Sequence, residues 1–386
     1  MTKRLELPYR SIPDMFLHRV AETPDKRAFG KPADDDAGDP VWLTWREVDE
    51  QARAIAAGLT TLGVQPEDRV GILANTRLDW ILADLGIMLA GAATTTVYPT
   101  TEPEDAVYIV ADSGSKVLFA ENAAQAAKLD GADLPDLAAI VLIDGVPGGT
   151  EKIRTLSLAQ LEAAGRDALK ADPELIERIV AGIQGDQLAT LIYTSGTTGR
   201  PKGVELMHLG WVWQGYTQVD MGLLTADDLQ YLWLPLSHSF GKTLLCGIVY
   251  VGLPTYVDGR VDKLIDNLGK IQPTIMCAAP RTQPMRRPPQ YGLLMPPIVS
   301  TRALRSNAAT DGGIASPSSA RSTNDSSMIR SVPAACAAEG SRSRSAVCMR
   351  WPVGLWKSGM RNATRACAAR TVDSSRSSSH PSGPIA

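Results

Sequence analysis

From Thr44 to about Ala279 the chain alternates segments of helical and strand period, and that alternation limits the fold more than any other feature. TWREVDEQARAIAAGLTTLG places Val48, Ala52, Ile55, Leu59 and Leu62 at three- and four-residue steps. It opens on Thr44 and Glu47 as a capping box and stops at Gly63, which predicts an amphipathic helix. DRVGILA then reads as a buried strand, RLDWILADLGIMLAG as a helix, TTTVYP as a strand, and EPEDAVYIVADS as a helix capped by Thr101 and Glu104. SKVLFA and AAIVLID are further strands, SLAQLEAAG and DPELIERIVAGIQ are helical with Pro173 in a first turn, and QLATLIYT is a strand. Beyond it VELMHLGWVWQGYTQ, GKTLLCGIVYVG and VDKLIDNLGKI read as helices, and LQYLWLPLSH, PTYVDG and PTIMCAA as strands. Such an order implies an α/β fold with a parallel-rich sheet, in which ligands bind at the carboxyl ends of strands.

One such end is followed by YTSGTTGRPKG, residues Tyr193 to Gly203. Thr194, Ser195, Gly196, Thr197, Thr198 and Gly199 offer hydroxyls and freely turning backbone N–H groups, for which phosphate oxygens are the natural guest. Lys202 adds a cation, Pro201 stiffens the exit, and a helix read from near Val204 would aim its positive end at the same anion. A hydroxyl-rich hairpin turn is the plainer reading of these residues, and residue types alone leave both open. The Walker motif is excluded, because Gly203 stands where Ser or Thr must follow Lys202. Gly241-Lys242-Thr243 fails too, since Leu236 occupies the place of the earlier glycine.

Charge divides the chain at residue 281. Residues 281–386 carry 15 Lys and Arg against 4 Asp and Glu, whereas residues 1–280 carry 24 against 38. The same tail holds 19 serines against 7 before it and keeps neither period, so disorder is expected there. RSRS at 342–345 is a composition signal without an RNA-binding fold signature, and no nucleic-acid partner is expected. The N-terminus lacks an apolar signal core and no run of about 18 apolar residues occurs, which favours a cytoplasmic location without a transmembrane segment. Five cysteines at irregular spacings suggest neither a disulfide framework nor a zinc site and read as incidental; no metal ligand set is assigned.

LIYTSGTTGRPKG resembles the AMP-binding signature of the adenylate-forming superfamily of acyl-CoA synthetases, luciferases and peptide-synthetase adenylation domains. Thr194 to Lys202 satisfy that pattern at every position, and the departure nearby is Met207 before His208, where Thr is usual. TPDKRAFG, LTWREVDEQARAIAAGL, GVQPEDRVGILANT, TEPEDAVYIVADSGSKVLFAE and WLPLSHSFGKTLL look like successive blocks of the family in its own order. Through LPLSHSFGK the chain is most similar to bacterial long-chain fatty-acid-CoA ligases. The resemblance covers residues 11–280 and implies that the loop holds the β- and γ-phosphates of ATP. It also implies that His238 acts in adenylation and that His238 and Phe240 border the adenylate and acyl pocket. A histidine at a strand-to-helix turn also serves as a cap or a packed ring. Trp211, Trp213 and Trp233 read as core packing, and Asp227 and Asp228 as a solvated turn.

The same resemblance implies fatty acid, ATP with Mg2+ and coenzyme A as small-molecule partners. Residues 1–185 would form the N-terminal subdomain of an AMP-binding domain, and 186–280 the start of a second subdomain carrying the phosphate loop. Residues 281–386 would be a low-complexity tail, with the family's C-terminal domain absent. The family's later motifs, Y-G-x-T-E for adenine and magnesium, T-G-D for ribose and a catalytic lysine, are not readable in 281–386. The tail has the Arg, Ala, Ser, Pro and Gly bias of a GC-rich gene read out of frame, which points to a frameshift near codon 281. An interrupted sheet is expected to leave an open edge. The reading is a long-chain fatty-acid-CoA ligase in impaired form. The alternatives are a non-catalytic nucleotide-binding fragment or pseudogene product, and a fatty acyl-AMP ligase serving a carrier protein. Peripheral membrane contact would suit a fatty substrate, although no basic amphipathic helix supports it.

Overall fold

The computed structural model describes residues 7–36, 38–147, 153–194, 199–278, 330–332 and 346–350. Three elements precede the alternation at Thr44: α1 (Ile12–Glu22), β1 (Arg27–Lys31) and β2 (Val41–Thr44). Then come α2 (Trp45–Thr61), β3 (Arg69–Leu73), α3 (Leu78–Leu89), β4 (Ala93–Val97), α4 (Pro103–Asp112), β5 (Ser115–Ala120) and the short α5 (Ala123–Ala126). They are followed by β6 (Ala139–Leu142), β7 (Arg154–Ser157), α6 (Leu158–Ala171), α7 (Leu175–Gly182), β8 (Leu188–Thr194), β9 (Lys202–Met207) and α8 (His208–Asp220). The remainder is β10 (Gln230–Leu232), α9 (Ser239–Val251), β11 (Thr255–Val257), α10 (Leu264–Ile271), β12 (Ile275–Ala278), β13 (Arg330–Val332) and β14 (Ala346–Arg350).

The strands form two seven-stranded sheets. The first runs β7-β6-β5-β3-β4-β8-β9, parallel throughout except for β9, and the second runs β13-β14-β12-β10-β11-β1-β2 with a parallel centre. The chain crosses between them: β1 and β2 join the second sheet, while β8 and β9 close the first. Most strands are buried on both faces, and alternate residues enter different clusters with the pleat. Val70, Ile72, Val117 and Phe119 of the first sheet and Leu232, Val257 and Ile275 of the second enter one shared core. Leu118, Ala120, Ile140 and Tyr193 turn outward beneath Ile109 and Val110 of α4, and Tyr231, Tyr256 and Met276 pack with Leu268 of α10. Helices α1, α2, α3, α8 and α9 add buried residues to that shared core, as do α6 and α7.

The predicted α/β class and parallel-rich sheets are observed, and so is the box at Thr44 and Glu47. Four local expectations are corrected. Thr101 and Glu104 do not cap α4: Pro103 takes the first helical position, which makes Glu102 the cap and leaves Thr101 in a turn bonded to the Tyr98 carbonyl. Pro173 precedes α7, in the second position of a turn in which the Leu175 N–H meets the Asp172 carbonyl. The helix read from Val204 begins at His208, because residues 202–207 pair antiparallel with β8. Residues 330–332 and 346–350, expected to be disordered, are strands; β14 pairs with β12, so the edge expected to stand open is covered. The rest of the expected disordered tail lies outside the described residues. Cys277 is disulfide-bonded, against the reading of every cysteine as incidental, and stands opposite Cys348 in the β12–β14 register. Cys246 is free, and burial pushes its thiol up to about 12, so it is inert.

Candidate functional site

Strand β8 ends at the carboxyl edge of the first sheet, and there the chain reverses. The Thr194 and Lys202 backbones are register partners, so residues 195–201 form the connection of a hairpin. The hairpin reading of this stretch is thus observed, and the helix expected from near Val204 begins only at His208, after β9. Of the seven residues proposed for phosphates, Thr194, Gly199 and Lys202 are placed here, all exposed. Ser195, Gly196, Thr197 and Thr198 lie outside the described residues. Gly199 sits at φ +136° with open space around it, so conformation rather than crowding demands a glycine. Lys202 makes no ion pair among the described residues.

Below the loop the hairpin is pinned to α4. The Tyr193 hydroxyl donates to Asp112 Oδ2 at 2.8 Å, and burial together with that carboxylate raises its pKa. A Cβ on Gly203 would stand 3.1 Å from the Tyr193 ring, and the Arg200 guanidinium lies 5.0 Å over the ring of Tyr108.

The second part of the candidate site is the turn between β10 and α9. His238 is the N-cap of α9, its Nδ1 accepting the Phe240 N–H at 3.1 Å. That bond leaves Nε2 to carry the proton of the neutral ring. His238 is exposed as a residue, yet partial desolvation of its ring holds its pKa below the usual value. Cap and exposed donor are thus combined in one side chain. Phe240 is half-buried against the shared core. A single hydroxyl relates the two parts: Thr96 of β4 donates to the Ser237 carbonyl at 3.1 Å and stands 3.4 Å from the Leu191 carbonyl on β8.

Other sequence readings divide. Trp211 is in the core and Trp233 is half-buried with its Nε1 on the Cys277 carbonyl at 2.9 Å. Trp213 is instead 42% exposed, because it lies on the outer face of α8. Asp227 is exposed as expected, but Asp228 is buried and accepts from the hydroxyls of Thr225 and Thr274 at 2.8 and 2.9 Å, which makes it a structural turn-keeper. Asp84 of α3 and Lys242 of α9 form a buried ion pair that no local sequence pattern indicates. Lys242 is the one charge of α9, and Asp84 is a second carboxylate of α3 beyond Asp79 of its first turn, so each stands within an apolar stretch of its helix.

A family model described as AMP-binding enzyme matches residues 16–286. The long-chain-fatty-acid–CoA ligase FadD15 of Mycobacterium bovis is 33% identical over 250 residues, 63% of this chain and 40% of that protein. The chain thus spans about two fifths of the length of the relatives it matches first. Two solved structures share the fold. The anthranilate CoA ligase AuaEII in complex with anthranoyl-AMP gives a TM-score of 0.58 at 24% identity, over 70% of this chain and 50% of that one. A long-chain-fatty-acid-CoA ligase (FadD1) from Archaeoglobus fulgidus gives 0.56 at 19%, over 70% and 51%.

Proposed function

Because the chain belongs to the AMP-binding enzyme family, we propose that its inherited chemistry is the ATP-dependent, AMP-forming activation of a long-chain fatty acid for transfer to coenzyme A. Relatives named as long-chain ligases support the substrate class. The observation that carries the reading is the hairpin, a loop of hydroxyls and glycines closed by Thr194 and Lys202 at the carboxyl end of a parallel strand.

In this reading Thr194, Ser195, Gly196, Thr197, Thr198 and Gly199 donate to the β- and γ-phosphate oxygens. The exposed ammonium of Lys202 offsets the charge that grows on departing pyrophosphate. His238 directs its Nε2–H toward the carboxylate or the adenylate, and Phe240 borders the acyl chain. Mg2+ would arrive with the nucleotide phosphates. Among the described residues no group of three His, Cys, Asp or Glu gathers to hold a metal, so no residue here is assigned to it. Fatty acid, ATP and coenzyme A are the small-molecule partners. Among the described residues no helix is long and apolar enough to cross a membrane.

For the 386-residue polypeptide itself a second reading is favoured by a specific observation. The family match stops at residue 286, and residues 287–386 hold no readable adenine, ribose or lysine motif. Each lost part of such a constellation costs orders of magnitude in rate, so we infer a chain that binds phosphates and is impaired in adenylation. Calorimetry with pyrophosphate should show binding that Lys202→Ala weakens about tenfold or more, the worth of one charge-assisted contact. Palmitate-dependent ATP–pyrophosphate exchange should be absent. Clear exchange by this chain overturns the impairment, and failure to bind pyrophosphate overturns the phosphate loop.

A further inference from the structure

Buried polar groups from the first sheet and its helix grip the segment carrying His238 on both sides. Upstream, Thr76, in the loop after β3, donates its hydroxyl to the Leu234 carbonyl at 2.9 Å and accepts the Leu236 N–H at 3.1 Å. Thr96 holds the Ser237 carbonyl. Downstream, one turn past the histidine, the Lys242 N–H bonds the His238 carbonyl at 3.1 Å, and its ammonium meets both carboxylate oxygens of Asp84. Both side chains of that pair are 1% exposed. Thr94 donates to Asp84 Oδ1 at 2.8 Å, and the Trp80 ring lies 5.5 Å from the ammonium. Between the two grips a Cβ on Gly241 would fall 2.2 Å from the Pro235 carbonyl oxygen, so the turn is as tight as backbone allows.

A buried ion pair is a poor device for stability, because desolvating two charges offsets most of their attraction. Its strength is selectivity. An apolar side chain at position 242 would pack acceptably at several rotations of α9, whereas an ammonium facing one carboxylate tolerates a single register. We propose that Asp84 and Lys242 are positioning residues, whose pair sets the rotation of the first turn of α9 and so the direction in which His238 and Phe240 face the acyl adenylate. This deepens the proposed function and rests on it only for what the two side chains are aimed at.

The test uses the full chain and the imidazole nitrogen NMR signals of His238, identified by their loss in His238→Gln. The unaltered chain should show the Nε2–H tautomer, with Nδ1 as acceptor. Removing both charges, Asp84→Leu with Lys242→Met, spares the fold an unpaired buried ion, and circular dichroism checks that it does. In that variant the Nδ1 signal should move toward the tautomer-averaged position, while Lys242→Arg keeps the original pattern. An unchanged His238 signature in the folded double variant overturns the proposal. Should that variant not fold, hydrogen exchange in the unaltered chain decides. The Phe240 amide should exchange about 100-fold more slowly than Glu104 at the equivalent position of α4, which has no side-chain cap. Equal rates overturn the proposal. Palmitate binding to the unaltered chain, followed by tryptophan fluorescence, tests the functional reading separately. No binding together with a shifted His238 signal removes the acyl site and supports the positioning role.

Discussion

His208 follows directly on the β8–β9 hairpin, is 1% exposed, and its Nδ1 finds no hydrogen-bond partner among the described residues. Burial, aided by the nearby Lys242 cation, lowers its pKa from 6.5 to about 4. A base with a depressed folded pKa stays neutral in the native state while the unfolded chain takes up a proton. The resulting stability is complete above pH 6.5, is lost progressively as pH falls toward 4, and is level below that. The span corresponds to ~3 kcal/mol. Thermal melts should therefore drop between pH 7.5 and 5, and His208→Gln should flatten most of that drop; an equal drop in both proteins would show that other groups carry it. Nothing in the sequence marked this histidine, since exposure and neighbours decide a pKa and neither is local. The sequence reads Lys242 only as the lysine of a failed Walker motif, and Asp84 lies 158 positions away. Only the fold makes them a pair.

At the scale of elements, local rules served where the determinants sat within one turn. Thr44 and Glu47 form their box because cap and third residue are neighbours on the same turn. They failed at Val204, where an apolar run of helical period is held as a strand by its pairing with β8. The contact of α6 with α2 shows the tertiary side. Gly165 lets the backbones approach so closely that a Cβ would stand 1.8 Å from the Ala54 carbonyl oxygen, and Gly58 presents the same intimacy to Leu161. Gly165→Ala should cost about 1–3 kcal/mol or more, because backbone must move to admit a methyl group. Gly269, inside α10, meets nothing within 4 Å, so Gly269→Ala should instead stabilise by about 0.5–1 kcal/mol through helix propensity. Urea midpoints of the two variants should move in opposite directions. A shift of the same sign would mean that the close approach of α6 and α2 is not required.

For the whole molecule, the largest buried cluster draws on both sheets, and each sheet keeps only a smaller cluster of its own, under α4 and against α10. Val70 and Phe119 of one sheet and Leu232 and Ile275 of the other belong to that single cluster, to which α3 and α9 add buried residues. The Asp84–Lys242 pair crosses that cluster, joining an element between two strands of the first sheet to one between two strands of the second. Its energetics should be strongly non-additive. Asp84→Leu or Lys242→Met alone strands a charge in the shared core and should cost about 3–5 kcal/mol, whereas both together should cost far less than the sum. Three of the eight tryptophans, Trp45, Trp80 and Trp211, are buried in this region, so the blue-shifted part of the tryptophan fluorescence reports the core while circular dichroism reports the helices and sheets. In urea the two signals of the unaltered chain should change together, because a common core cannot be lost from one sheet and kept by the other. Additive single and double variants, or fluorescence that changes well before circular dichroism, would mean that the sheets hold separate cores and that the buried pair does not tie them.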